Sequence, residues 1–187
     1  MKIIYLLLIL SYIGYQPAAA QKHHSDKRFS RNDTAATAGT NDTVSPPVVT
    51  HHNITLDGKT INYTASAGYM PIKDKYGKLL ARIFYVAYTA DGQQAGKRPI
   101  TFAFNGGPGS SSIWLHMGAI SPVRVHFADD SGNAPAPPYT YGENENSWLS
   151  FTDLVFIDPV STGYSRTVKG VKPADYHGYS QDIASVG

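Results

Sequence analysis

An apolar run, Arg98-Pro99 followed by Ile100-Thr101-Phe102-Ala103-Phe104, stops at Asn105-Gly106-Gly107-Pro108-Gly109-Ser110-Ser111-Ser112. Ile113, Trp114, Leu115 and Met117 then begin a segment with partial helical spacing. The order predicts a buried strand, a glycine-rich turn and a helix. Glycines there let the backbone adopt angles that other residues avoid and approach a ligand closely. Several N–H groups then face one space beside the positive end of a helix, which suits a carboxylate or the oxyanion of acyl transfer. Taken alone, the glycines equally permit a plain tight turn. A phosphate loop needs G-x-x-x-x-G-K-[ST], and no lysine follows here. A dinucleotide fingerprint needs G-x-G-x-x-G, which Gly106-Gly107-Pro108-Gly109 does not fit.

The full octet is more specific. Asn105 to Ser112 resembles the signature of the serine carboxypeptidase family, α/β-hydrolases that remove C-terminal residues from peptides. Pro137-Pro138-Tyr139, Asn146-Ser147-Trp148-Leu149, Thr152-Asp153-Leu154-Val155-Phe156-Ile157-Asp158-Pro159 and Thr162-Gly163-Tyr164-Ser165-Arg166 follow in the family's order. The resemblance is strong over residues 98–166 and weaker back to about His52. It implies an α/β fold: the N-terminal portion of an α/β-hydrolase, with antiparallel leading strands followed by parallel strands of the central sheet.

The first 20 residues read as a signal peptide. Met1-Lys2 precedes the apolar residues 3–10, and Ala18-Ala19-Ala20 supplies small residues for cleavage, leaving Gln21 as the new N-terminus. An uncleaved anchor is the alternative, but the run is short for a bilayer. Residues 21–50 are polar, lack apolar periodicity and read as a disordered leader. Residues 51–187 are assigned to the hydrolase-like domain, truncated before the nucleophile. The expectation is an exported protein, periplasmic or secreted, with no membrane association after cleavage. Asn32, Asn41, Asn53 and Asn62 each open an N-x-[ST] triplet, which matters only where exported proteins are glycosylated.

Within the domain, Asn53-Ile54-Thr55-Leu56 and residues 59–65 flank Asp57-Gly58, a two-residue hairpin signal. Residues 80–88 alternate as a long strand closed by Asp91-Gly92. Residues 100–104 and 154–157 are short and apolar, as in parallel strands covered on both faces. Residues 129–146 read as an exposed loop, and residues 173–187 start another helix. Val160 to Arg166 form a second loop at a strand's C-terminal end, the rim where ligands gather in open α/β sheets.

Composition excludes several functions. A formal net charge of +2 is too small to indicate a nucleic-acid partner. The absence of cysteine removes disulfides, thiol catalysis and cysteine zinc sites. Paired histidines, His23-His24 and His51-His52, have no companion ligand at metal spacing. Neither a metal nor an organic cofactor is expected.

A nucleophile elbow reads G-x-S-x-G. Gly163-Tyr164-Ser165-Arg166-Thr167 and Gly178-Tyr179-Ser180-Gln181-Asp182 both lack the final glycine, and Ser110 lies inside the first loop. The resemblance implies that the Ser, Asp and His of the triad lie in polypeptide after residue 187, so the fragment itself is expected to be inactive. Asp158, His116, His126 and His177 are not triad members on this reading. His116 is expected on the helix after the loop, and His126 and His177 at the surface.

What the resemblance assigns instead is the receiving half of the site. The backbone N–H of Gly107 is one oxyanion donor. The side chain of Asn105 and the N–H of Gly106 hold the C-terminal carboxylate of a peptide substrate. Trp114 lines the pocket for the departing residue or packs in the core. The function implied is a serine-type carboxypeptidase acting on peptides with a free C-terminal carboxylate. An esterase or acyltransferase on the same scaffold, or a non-catalytic truncated binding protein, are the alternatives. Ser110 stands where many eukaryotic members have cysteine, which points to the bacterial branch. Ser121 and Ser161 stand where the family usually has glycine; a positive φ at either makes serine costly. The resemblance also places the strand before Asn105 between the Leu154 strand and a nucleophile strand.

Overall fold

The computed structural model describes residues 44–94, 96–105 and 109–186. The proposed signal peptide, most of the polar leader, and Gly106 and Gly107 lie outside the described residues.

The hairpin forms as the Asp57-Gly58 signal requires. Strand β1 (Val48–Leu56) pairs antiparallel with β2 (Lys59–Lys73), with Leu56 opposite Lys59. Asp57 and Gly58 take φ of 50° and 74°, the paired positive values of a hairpin turn whose twist matches the strands. Both strands are longer than the sequence suggests. Val48, Val49 and Thr50, read as the end of the leader, pair with Ala67, Ser66 and Ala65. Strand β2 also runs on through Pro71. Pairing with β1 stops at Ala67, so among the described residues Pro71 lies on an open edge, where a strand tolerates a missing N–H.

Strand β3 (Leu79–Ala90) pairs with β2 on one side and, on the other, with two short strands in succession. Those strands are β7 (Asp153–Ile157) and β8 (Arg166–Thr167). Strand β4 (Ile100–Ala103) lies parallel to β7, giving the order β1-β2-β3-β7-β4. Antiparallel leading strands thus pass into a parallel pair, as the α/β-hydrolase resemblance implies.

Alternation along β7 builds a core on each face of the sheet. Leu154 and Phe156 join Ile54, Leu56, Tyr63, Tyr88 and Leu149, with Leu115 and Ile120 packed against them. Ile157 joins Ala81, Ile83 and Val160, with Val155, Tyr176 and Val186 alongside. The first group takes in the helix after the glycine loop: α1 (Ile113–Leu115), widening into a π-helical turn over His116–Ile120. The second takes in a 3-10 turn (Pro173–Tyr176) and α2 (Tyr179–Val186).

Two expectations need correction. Strand β4 is not covered on both faces: Ile100, Phe102 and Phe104 are 57%, 61% and 52% exposed. Strand β4 ends the described sheet, and no described helix covers that side of it. The excursion after Asp129 is not wholly loop either. Tyr141–Glu143 (β6) pairs antiparallel with Val123–Val125 (β5), closing a small second sheet. Beside it, Asn144 is fully buried and donates from Nδ2 to the carbonyls of Ala119 (2.7 Å) and Ser121 (2.8 Å).

The opposite end of the parallel pair is held by charge. Asp153 Oδ1, at the start of β7, accepts from Arg98 Nε at 2.8 Å and from the Ala90 N–H at 3.0 Å. Arg98 also donates to the Leu149 carbonyl. Both partners of this ion pair are 15% exposed, so losing the guanidinium strands a mostly buried carboxylate. Replacing Arg98 by alanine should cost about 3 kcal/mol. Urea unfolding of the expressed protein measures this, with Arg124→Ala, at the exposed pair with Glu145, as the near-neutral control.

Candidate active site

Because β4 and β7 are parallel, the loops that follow them emerge on one rim of the sheet. Asn105 and residues 109–112 come from the first, and residues 158–165 from the second. They meet at Asp158, which is 5% exposed. Its Oδ1 accepts from the Ser112 N–H at 2.9 Å and from Ser112 Oγ at 2.8 Å. Its Oδ2 faces the Tyr164 N–H at 3.4 Å. A Cβ on Gly163 would stand 1.7 Å from Oδ2, so the second loop closes over the carboxylate only because that residue is glycine.

Asn105 is tied into the first loop. With its amide oriented as the surrounding carbonyls require, its nitrogen donates to Ser111 (3.1 Å) and Ser112 (3.3 Å). Gly109 follows at φ 90°, a value that favours glycine. In the second loop, Ser161 sits at φ 74° and its Oγ lies 3.0 Å from His177 Nε2. Serine therefore does occupy a left-handed position here, whereas Ser121 is extended at φ −73° and carries no such cost. Ser161→Gly should raise stability by about 1 kcal/mol, read as a higher Tm by calorimetry.

Ser165 is not a nucleophile in this arrangement. It is fully buried, donates from Oγ to the Asp158 carbonyl at 2.6 Å, and accepts from the Phe84 N–H at 2.7 Å. Ser180 is exposed on α2. His126 and His177 are at the surface, as expected. Trp114 is 69% exposed and belongs to neither of the two described cores. A cleft of about 790 Å³ opens on the rim, lined by Asn105, Gly109, Ser110, Ser161, His177 and α2 residues, with Trp114 outside it. Among the described residues no cluster of His, Asp or Glu could hold a metal ion.

His116 is the titratable group that the sequence undervalued. It lies on the helix after the loop, stacked on Phe156 (4.5 Å between centroids), with Nε2 2.7 Å from the Tyr88 hydroxyl. Burial lowers its pKa from 6.5 to about 4, against a smaller opposing pull from Asp158. Burial, with Tyr63 alongside, pushes the Tyr88 phenol up to about 12. A neutral imidazole and a neutral phenol therefore share one hydrogen bond between the helix and β3. The unfolded chain binds this proton near pH 6.5 and the folded chain only near pH 4. The contribution to stability is complete above pH 6.5 and is lost as pH falls toward 4. Chemical unfolding should find His116 responsible for a loss of roughly 3 kcal/mol between pH 7.5 and 4, absent in His116→Gln.

Neither Asp158 nor His116 could have been found by spacing. Both are isolated in sequence, and their partners come from other strands.

A family profile described as serine carboxypeptidase matches residues 56–185. The chain is 36% identical over 104 residues to the pheromone-processing carboxypeptidase KEX1 of Phytophthora infestans, covering 55% of this chain and 15% of that protein. It is 31% identical over 108 residues to serine carboxypeptidase-like 34 of Arabidopsis thaliana, covering 57% and 19%. It is 34% identical over 116 residues to the P-(S)-hydroxymandelonitrile lyase of Sorghum bicolor, covering 58% and 20%. The chain thus spans a fifth or less of these relatives' lengths.

Proposed function

The chain belongs to the serine carboxypeptidase family, and on that premise we propose that it forms the substrate-receiving half of a serine-type carboxypeptidase. The observation that carries this reading is the rim. The loop bearing Asn105 and the loop after β7 are locked together through Asp158, beside an open cleft. In the intact enzyme a serine from polypeptide outside these residues attacks the last peptide bond. The acyl-enzyme forms as the C-terminal amino acid leaves, and water then releases the acid. The Gly107 N–H is one donor to the tetrahedral oxyanion, an interaction worth about 2.7–4 kcal/mol in such sites.

Asn105 and the Gly106 N–H take the substrate's C-terminal carboxylate. The longer of the two Asn105 contacts, 3.3 Å to the Ser112 carbonyl, leaves its N–H able to be shared with a carboxylate while the side chain stays anchored. Trp114 lies outside the cleft and is exposed after the loop; its assignment to the departing residue rests on the family resemblance. No metal or organic cofactor takes part. The apolar start and small-residue cleavage point support export to the periplasm or outside the cell, and among the described residues no helix is long and apolar enough to cross a membrane. The cysteine-free sequence with Ser110 in the signature supports the bacterial-type branch.

A second reading, ester hydrolysis or another reaction on the same scaffold, has a specific reason. One relative of similar identity is named as a lyase rather than a carboxypeptidase. The test is release of free amino acid from an N-blocked dipeptide by the protein expressed from its complete reading frame. The wild type should cleave the free acid in preference to the C-terminal amide. Asn105→Ala should raise KM for the acid about tenfold or more, with little change for a simple ester. Ester hydrolysis without release from the dipeptide would move the protein to the second reading.

A further inference from the structure

We propose that Asp158 is the positioning residue for the carboxylate grip; the inference rests on the carboxypeptidase reading and extends it to a residue that touches no substrate. A continuous set of hydrogen bonds leads from Asp158 to Asn105. Asp158 Oδ1 holds Ser112 twice, through its N–H (2.9 Å) and its Oγ (2.8 Å). The Ser112 carbonyl, with that of Ser111, holds the Asn105 amide nitrogen. The position of Ser112 therefore sets the direction in which Asn105 presents its N–H groups.

Asp158 is itself immobilised. Its backbone N–H donates to the Phe84 carbonyl at 3.0 Å and its carbonyl accepts from Ser165 Oγ at 2.6 Å, so its Cα is fixed to β3. Among the described residues the ion pairs are Arg98–Asp153 and Arg124–Glu145, and neither includes Asp158. A carboxylate 5% exposed and without a cation depends on neutral donors. If Ser112 drifts, a buried carboxylate loses two of them. That penalty holds Ser112, and through it Asn105, in one place before substrate arrives, and a preset geometry spares the enzyme the cost of ordering them during binding. The missing Cβ of Gly163 serves the same end, because any side chain there would expel the carboxylate from its seat.

The experiment uses the protein from its complete reading frame and compares Asp158→Asn with wild type on an N-blocked dipeptide and on its C-terminal amide. Asparagine keeps the size of the side chain. It can still offer one oxygen to Ser112, but it turns an NH2 group toward the Tyr164 N–H. The expected result is a rise of about tenfold in KM for the free acid and an equal fall in the acid-to-amide ratio of kcat/KM. Ser112→Ala, which removes only the Oγ donor, should shift the ratio the same way by a few-fold, and serves if Asp158→Asn does not fold. A residue that merely supports folding lowers kcat on both substrates and leaves the ratio at its wild-type value. That outcome in the folded variants would overturn the proposal while leaving the carboxypeptidase reading intact. No preference for the acid in the wild type would instead remove the carboxypeptidase reading, and this inference with it.

Discussion

The rim of this sheet is organised by one buried carboxylate that neutral donors satisfy. Asp158 stands at the end of β7, between two loops whose described residues form no strand pairing of their own. Ser112 gives it two donors from one loop and Tyr164 faces it from the other. A charge withdrawn from water must be met by hydrogen bonds, and here the donors are the loops themselves. Gly163 is glycine because the carboxylate occupies the volume of a side chain. The order of the rim follows from solvating a single anion without solvent.

The sheet makes that arrangement possible. Strand β7 lies between β3 and β4, runs parallel to β4, and sends alternate side chains to the two cores. Parallel pairing brings the two loops to one edge, and burial on both faces holds β7 still. At its other end Arg98 and Asp153 tie β4, β7 and the end of β3. His116 extends the same logic to the helix: stacked on Phe156 of β7 and bonded to Tyr88 of β3, it stays neutral because its site is dry.

Legibility followed the range of the interactions. The β1–β2 hairpin was readable because Asp57 and Gly58 act on their own backbone. The alternation of β3 and the apolar run of β7 were readable because periodicity is local. The extension of β2 through Pro71 was not, since it depends on where β1 stops covering it. The burial of β4 was overestimated for a related reason: an apolar run records what a strand can bury, not which neighbour covers it. Pairing of β5 with β6 spans a long excursion whose residues carry turn chemistry, and that chemistry hid the short strands.

Chemical identity divides along the same line. The amino-acid sequence by itself determined the strand before Asn105, the helical turn after Ser112 and the motif order that mark the family, because each is written in neighbouring residues. It also contained the risk at Ser161, whose left-handed backbone the fold then required. Only the tertiary structure decided what Asp158, Ser165 and His116 do. Their partners lie on other strands, and a side chain's role in a dry interior depends on which donors, rings and charges the fold brings within reach.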